Sequence, residues 1–407
     1  MAIPNYGINY KNIMILMVFP IVIMDKLKKV YFLSKEKQPS FHAYYIIFIA
    51  FIILGSIINS FDSLISLNAI TRFFLLSFVI YYFLTYIYKG GYNFINRSII
   101  YVGLVLAIIL IVERFVLHYS LYEVVFGIQT SERWITGRYT LNTGGSEVVR
   151  SMGPFDSFHL AGFTMLLPFT LSLANFAKNK TLINGFILFI FITGIISIFG
   201  TAELIVSIFI TYIFLLLVLS NPIKDKFARL IFYYLSPMFI IFVSMFSVIR
   251  TLLVERIFGY FLIGQTYHGS LEYRINSIIN SFVSLDNLPD IIFGLGFGFR
   301  ANYRTLWLKK LGLSEMGMYP LIFLEVGFVG LILFILILYG ILKEVRKKIE
   351  DKRSDRILLF SLRAYFLGCI VYMFVFYDYY QVFNIAVALA LMRKISSKNI
   401  IDFDYAK

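Results

Sequence analysis

Long apolar runs recur along most of the chain, and they constrain its fold more than any other feature. Of the 407 residues, 59% are hydrophobic and only 15% are charged, whereas a soluble domain has about 25% charged residues. A helix of about 20 apolar residues crosses a bilayer and satisfies its own backbone hydrogen bonds there. The sequence therefore predicts an all-α polytopic membrane protein, with residues 1–407 forming a single transmembrane domain.

Eleven transmembrane helices are predicted. Because the first apolar run is short and the last contains polar residues, the number lies between ten and twelve. Two long hydrophilic loops remain between the helices, at about 118–157 and 250–317. We expect both loops to pack over the mouth of the domain. The approximate helix bounds are 12–25, 42–60, 67–88, 98–117, 158–176, 181–200, 202–220, 229–249, 318–342, 357–376 and 379–393.

Positive charge in the short loops and the C-terminal tail is mostly lysine, and these segments fall on one side if the helices alternate. The positive-inside rule makes that side cytoplasmic. The N-terminus and both long loops are then outside, and the C-terminus is inside. The formal net charge of +14 is explained by this orientation, so no nucleic-acid partner is expected.

The two long loops carry eight arginines and only two lysines. Guanidinium groups keep their charge and bind phosphate oxygens in pairs, which makes a pyrophosphate a suitable ligand. The structural alternative for any one arginine is a salt bridge to one of the nine acidic residues in the same loops. The eight loop arginines are Arg133, Arg138, Arg150, Arg250, Arg256, Arg274, Arg300 and Arg304.

Ionisable residues near the predicted outer ends of the helices indicate either function or a structural ion pair, because such groups are costly in a bilayer. They are Arg72, Glu113, Arg114 and Glu203. In the second loop, the spacing of apolar residues predicts an amphipathic helix at 273–284 and a weaker one at 300–311. Between these, the glycines of segment 294–299 favour a structural turn that brings two backbone segments, or backbone and ligand, close together.

Three motifs, in this order along the chain, resemble those of the O-antigen polymerase and O-antigen ligase superfamily of bacterial envelope glycosyltransferases. The first resembles the family's Arg-x-x-Gly-x-Phe, and the second resembles its outer-loop arginine and Gly-x-Gly-x-Gly. The resemblance covers about residues 130–345 and implies a GT-C-like fold with the outer loops covering the active site. The motifs are Arg150–Phe155 with His159–Ala161, Glu272–Arg274 with Gly294–Gly298, and Leu324–Gly330.

Departures from the family pattern separate its members. The ligases place a histidine and a small polar residue where this chain has Met316 and Gly317, so ligase activity is disfavoured. The polymerases have Arg-x10-Gly in both outer loops; Arg133 and Gly144 fit in the first loop, and no arginine fits in the second. The family's middle helix often begins with Ser-Arg, and here that pair is Ala202-Glu203.

The resemblance implies an inverting repeat-unit polymerase for an O-antigen or related surface polysaccharide, in the bacterial inner membrane. Its substrates would be oligosaccharides on undecaprenyl pyrophosphate, which already activates the donor. No nucleotide, metal or cofactor is then expected, and the single cysteine and four scattered histidines predict no metal site. Membrane lipids and a chain-length-regulating co-polymerase are the other implied partners.

The implied site uses arginines to stabilise the departing pyrophosphate, with Arg150 and Arg274 as the first choices. Arg133, Arg138, Arg300 and Arg304 are further candidates for the same task. Glu315, beside the position of the ligase histidine, is the first candidate for the catalytic base, with Glu147, Asp156, His159 and Glu272 as alternatives. Binding of glycan, or anchoring at the membrane interface, is expected of Trp134, Tyr139, Tyr303 and Trp307.

Two other functions stay open. A ligase would transfer finished glycan to an acceptor. A flippase or other transporter of lipid-linked oligosaccharide would also need many helices and cationic residues. Transporters place their charges along a midplane cavity, often between inverted repeats. Here the charge is clustered in two outer loops and no repeat is evident, which favours the enzyme.

Overall fold

The computed structural model describes residues 40–58, 70–88, 90–117, 140–143, 146–149, 151, 153–155, 158–198, 201–219, 279–281, 283, 285, 287–297, 317–350, 355–375 and 381–396. By its contacts the chain divides into two compact units. Unit 1 comprises Met1–Tyr92, Leu271–Ser354 and Met373–Lys407, and unit 2 comprises Asn93–Ser270 and Asp355–Tyr372. The single transmembrane domain stays a prediction.

Ten helices and one hairpin make up the described regular structure. Helix α2 begins and ends in π-helical turns, Thr71–Leu75 and Phe83–Ile87, around an α-helical segment, and α3 continues into the π-helical turn Glu113–Leu117. The bounds are α1 Ser40–Ile58, α2 Thr71–Ile87, α3 Tyr92–Val112, β1 Thr140–Thr143, β2 Ser146–Val149, α4 Phe158–Lys178, α5 Leu182–Ile198, α6 Thr201–Leu219, α7 Leu288–Phe293, α8 Met318–Glu350, α9 Arg356–Val375 and α10 Gln381–Ser396.

The helical class of the fold is confirmed, and nine of the eleven predicted transmembrane helices coincide with helices α1 to α6 and α8 to α10. Five helices in the described residues are long and apolar enough to cross a membrane, and three shorter ones are also apolar. The chain therefore fits a membrane-embedded helical protein. The predicted helices 12–25 and 229–249 lie outside the described residues. The five long helices are Phe41–Ile58, Tyr92–Leu117, His159–Lys178, Met318–Glu350 and Arg356–Phe374.

The first long loop contains a β-hairpin that the sequence analysis did not predict. Strands β1 and β2 are antiparallel, and Thr143 pairs with Ser146 across a two-residue connection. The connecting residues are two glycines, which suit the positive φ angles of short hairpin turns. In the second loop, residues 279–281 and 283 are helical, as predicted, and the short helix α7 was not predicted.

The helices of unit 2 alternate in direction. At one end, Asn96 Nδ2 donates to Asn175 Oδ1, and Lys178 lies 2.8 Å from Asp355. At the other end, Gly153 bonds to Glu113 at the end of α3. Among the described residues of this unit, the basic residues assigned to the cytoplasm therefore lie at one end, as alternating helices require; they include Arg97, Lys178 and Lys180. Which end faces the cytoplasm stays a prediction.

Small residues let the helices of unit 2 approach closely. A Cβ atom added to Gly103 in α3 would overlap the ring of Pro168 in α4. A Cβ atom added to Gly194 in α5 would lie 3.0 Å from the Cβ atom of Ala107 in α3. Such contacts are typical of helix pairs in membranes, where close packing replaces the hydrophobic effect as the driving force.

In unit 1, α8 is two helices joined at a break. Gly327 has φ 75° and ψ −174°, far from helical values. None of residues 317–327 is exposed, so the first part of α8 is surrounded by protein. After the break, Phe328, Ile332, Ile335 and Tyr339 form an exposed apolar stripe at helical spacing. Only the second part of α8 therefore presents a face suited to lipid.

Candidate functional site

The residues to which sequence analysis assigned catalysis or binding lie outside the described residues. They are Glu315, Arg150, Arg274, Arg133, Arg138, Arg300, Arg304, Trp134, Tyr139, Tyr303 and Trp307. The same is true of the alternative bases Asp156 and Glu272, and the structure describes only the backbone of Glu147. Of the candidate bases, His159 alone has a described side chain. These assignments stay predictions, and the described site is built from residues around them.

His159, at the start of α4, is bound to a carboxylate on another helix. Its ring nitrogen Nδ1 lies 2.5 Å from Oε1 of Glu203 in the first turn of α6. The hydroxyl of Tyr372, near the end of α9, lies 2.6 Å from the same carboxylate oxygen and 3.1 Å from the carbonyl oxygen of His159. Three helices thus hold one imidazole ring, and we call these three residues the His159 cluster.

Burial differs sharply within the His159 cluster. The side chain of Glu203 is completely buried, whereas 19% of the His159 side chain is exposed. Within the described part of the chain, Oε2 of Glu203 is buried without a hydrogen-bond partner. A carboxylate with one oxygen bound and the other unsatisfied is costly in an apolar bundle. Among the described residues, the carboxylate of Glu203 is therefore hydrogen-bonded at one oxygen only.

Gly162, one helical turn after His159, makes room for the buried carboxylate. A Cβ atom at this position would overlap Cγ of Glu203 and lie 3.2 Å from both its Cβ and its Cδ. The glycine therefore allows α4 and α6 to approach with the Glu203 side chain between them.

Alanine at Gly162 is expected to displace Glu203 from His159 and to destabilise the protein by about 1–3 kcal/mol, because overpacked cores lose roughly that much. The measurement is the thermal unfolding midpoint of the detergent-solubilised protein. Gly185→Ala is the matched control, since its nearest neighbour would be Phe176 Cε2 at an ordinary 3.4 Å and alanine is the better helix former. Equal midpoints for Gly162→Ala and the wild type would contradict this packing.

The segment that carries the first motif is fastened to unit 2 by its backbone. The N–H of Gly153 donates to Oε2 of the buried Glu113, at 2.8 Å. The N–H of Ser151 donates to the carbonyl oxygen of Ser197 at the end of α5, at 3.4 Å. Arg150 comes one residue before this fastened segment in the sequence, and His159 follows the segment. Glu113, which the sequence marked as an ionisable group near a helix end, thus anchors the motif.

The second and third motifs meet in unit 1. The N–H of Leu295 donates to the carbonyl oxygen of Leu324 at 2.8 Å, and the N–H of Gly296 donates to that of Glu325 at 3.1 Å. The carbonyl groups at the end of the first part of α8 are therefore capped by the glycine loop. We call residues 294–297 together with residues 324–327 the glycine junction. The prediction that the glycines allow one backbone segment to approach another is confirmed.

Both segments of the glycine junction contain a glycine in the same unusual conformation. Gly294 has φ 74° and ψ −175°, and Gly327 has φ 75° and ψ −174°. This region is essentially restricted to glycine. A Cβ atom on Gly294 would overlap the backbone between Glu325 and Val326, and one on Gly327 would overlap the carbonyl group of Ile292. Each glycine is therefore required by the other segment.

Unit 1 also contains a small apolar cleft with a volume of about 60 Å³. Polar groups in its wall bind one another: His42 Nε2 lies 2.9 Å from the Tyr81 hydroxyl, and the Tyr45 hydroxyl donates to the carbonyl oxygen of Phe74. The accessible surface of the cleft is apolar, which suits a hydrocarbon. Its wall includes Phe48, Phe78, Phe334, Leu338, Ile385 and Leu389.

Within the ranges that the structure describes, no three His, Cys, Asp or Glu side chains lie close enough together to hold a metal ion. The sequence analysis marked Glu203 and His159 separately but missed Tyr372 and Gly162. Tyr372 stands in an apolar run with many aromatic residues, so no local signal distinguishes it. A glycine such as Gly162, which makes room for a carboxylate on another helix, cannot be recognised until the two helices are paired.

No known family model matches the chain, and none of the curated proteins matches it either. The resemblance to the polymerase and ligase superfamily therefore rests on the residues of the three motifs and on their order and spacing.

Proposed function

We propose that the chain is a membrane glycosyltransferase that polymerises oligosaccharide repeat units carried on a polyprenyl pyrophosphate, as in the synthesis of an O-antigen or related surface polysaccharide. The proposed architecture has about eleven transmembrane helices in a GT-C-like arrangement. The proposed location is the bacterial inner membrane, with the two long loops outside and the C-terminus in the cytoplasm. A chain-length-regulating co-polymerase is the proposed protein partner.

The observation that carries the proposal is the glycine junction. The second and third motifs of the resemblance are about thirty residues apart in the sequence, yet their backbones are hydrogen-bonded to each other. This contact supports the proposal because it brings two of the three motifs to one place in unit 1. The first motif supports the same conclusion, because its glycine is held by the buried Glu113.

The reaction requires negative charge to be stabilised as the pyrophosphate departs. Arg150 and Arg274 are the proposed groups, with the other loop arginines in support. Fixed donors aimed at developing charge contribute about 3–4 kcal/mol each, or roughly 10²–10³ in rate. A polyprenyl carrier also brings a hydrocarbon chain, and the apolar cleft of unit 1 is chemically suited to one.

Arg150→Ala and Arg274→Ala are each expected to reduce polymerisation by about 10²–10³. In cells that carry the native glycan gene cluster, long polysaccharide ladders should collapse to single capped units while the variants stay in the membrane. The matched control is Arg346→Ala, which removes an exposed arginine paired with Glu350 on the same helix and should leave the ladders unchanged. Normal ladders from both loop variants would overturn the role of the arginines.

The same cells separate the proposed polymerase from the two alternatives. Loss of a ligase leaves long chains on the lipid carrier, whereas loss of a polymerase leaves single units. A transporter would move lipid-linked oligosaccharide across liposomes that contain the purified protein. Flux without polymerisation of units already on the outer side would contradict the proposal.

A further inference from the structure

We propose that His159 is the general base of the glycosyl transfer and that Glu203 is the carboxylate that positions it. The inference rests on the proposed function and adds the group that takes the proton from the attacking hydroxyl. It replaces Glu315, the first candidate from the sequence, with a residue whose surroundings the structure describes.

The contacts of the imidazole give the geometry expected of a base held by a carboxylate. Nδ1 of His159 lies 2.5 Å from Oε1 of Glu203, and the Tyr372 hydroxyl lies 2.6 Å from the same oxygen. The ring therefore has a defined direction, set by α4, α6 and α9 together. A nucleophile or base oriented by a second group, which is itself held by a third, is the arrangement that recurs in hydrolase triads.

The contact with Glu203 also decides which nitrogen of the ring can act. An ionised carboxylate only accepts hydrogen bonds, so Nδ1 must carry the proton that it donates to Oε1. The lone pair of the neutral ring is then on Nε2. That tautomer is the one a base requires, and it places the basic atom on the side of the ring away from the buried carboxylate.

Burial assigns the two residues different roles. Glu203 is completely buried and cannot reach a substrate, whereas part of the His159 side chain is exposed. The carboxylate is therefore a positioning residue, and the imidazole is the group that can touch the acceptor. Burying a carboxylate is costly, and here the buried carboxylate supplies the acceptor that holds Nδ1.

The position of His159 in the chain fits the same reaction. The residue follows the motif segment whose backbone is fastened at Ser151 and Gly153, and the proposed leaving-group residue Arg150 precedes that segment. One short anchored stretch of sequence would thus supply both the base and a cation for the pyrophosphate.

The proposed step is a single displacement. The hydroxyl oxygen of the acceptor sugar forms a bond to the anomeric carbon of the lipid-linked chain, and its proton passes to Nε2 of His159. The bond from the anomeric carbon to the phosphate oxygen breaks, and its electron pair leaves with the polyprenyl pyrophosphate. The imidazolium, stabilised by Glu203, then returns its proton to water.

The test uses the full-length protein in liposomes with the lipid-linked repeat unit of its native gene cluster. His159→Ala is expected to lower kcat about 100-fold or more, since a general base contributes roughly 10²–10⁴, while KM stays within about twofold. Added imidazole should restore part of the rate by occupying the space left by the ring. A merely structural role for His159 would not produce this rescue.

Glu203→Gln tests the positioning role with a side chain of the same shape. The amide oxygen can still accept from Nδ1 and from the Tyr372 hydroxyl, so the ring keeps its tautomer, but the negative charge that stabilises the imidazolium is lost. The expected result is a loss of kcat of about 100-fold or more that imidazole does not restore. Asp355→Asn, which weakens the Lys178 contact at the opposite end of the same unit, is the control and should keep most of the rate.

Three results would overturn the base assignment while the wild type still polymerises. The first is that His159→Ala keeps more than one-third of the wild-type kcat. The second is that added imidazole does not restore the rate lost in His159→Ala. The third is that Glu203→Gln has an unchanged kcat. A Glu315→Gln variant that alone abolished turnover would return the role to Glu315. If the wild type makes no polymer from any lipid-linked unit of its gene cluster, the proposed function fails, which is a distinguishable result.

Discussion

Gly327→Ala is expected to prevent the correct assembly of unit 1, and Gly294→Ala is expected to do the same. At both positions the backbone conformation costs a residue with a side chain about 1–3 kcal/mol. The added Cβ atom would in addition overlap backbone atoms of the opposite segment, which cannot rotate away as a side chain can. The combined cost is comparable with the whole stability of many proteins, which is about 5–15 kcal/mol.

The measurement is the amount of protein that can be extracted from the membrane and that elutes as a single symmetric peak in size-exclusion chromatography. Gly91→Ala is the control, because a Cβ atom there would have no neighbour within 4 Å, and it should behave as the wild type does. The double variant Gly294→Ala, Gly327→Ala should be no worse than either single variant, since both break one junction. Strictly additive losses would show that the two glycines act independently and would contradict the reciprocal contact.

Glu113→Ala is expected to release the motif segment from unit 2 and to lower the free energy of unfolding by about 1.5–3 kcal/mol, the range for a hydrogen bond to a charged group. The N–H of Gly153 would lose its acceptor while staying buried. The polymerisation rate should fall together with the stability, because Arg150 directly precedes this segment and His159 follows it. Glu113→Gln should lose less, since its amide oxygen can still accept the bond.

The two Glu113 variants are compared by thermal unfolding and by polymerisation in liposomes. Glu350→Ala is the control, because it removes an exposed carboxylate that forms an i,i+4 pair with Arg346, a contact of about 0.3–0.5 kcal/mol. Equal losses for Glu113→Ala and Glu350→Ala would show that Glu113 does not anchor the segment.

Helix positions could be predicted from the sequence because a long run of apolar residues is favoured in the bilayer and forms a helix there. Their ends were less predictable where charge and helix propensity disagree. The predicted helix 318–342 stops at the first lysine, whereas α8 continues to Glu350. Lysine, arginine and glutamate favour helices, and the pair Arg346–Glu350 adds to the last turns. Hydropathy detects only the apolar part of a helix, which lipid can surround, and does not detect its charged continuation.

Pairings between distant residues could not be predicted from the sequence in the same way. His159 and Glu203 were each marked, but 44 positions separate them, and nothing local connects one with the other. The glycines of 294–298 indicated a close backbone contact without indicating that Leu324 and Glu325 would receive it. Such contacts depend on which helices are neighbours, a property of the whole unit.

Residues 318–327 present no exposed face, so in the folded protein they are surrounded by protein and not by lipid. In α8 an exposed apolar face begins at Phe328. The glycine loop precedes the carbonyl groups that it caps, so it is synthesised first. We expect residues 318–327 to complete their folding by docking onto this loop, and the lipid-facing part of α8 to begin after the break at Gly327.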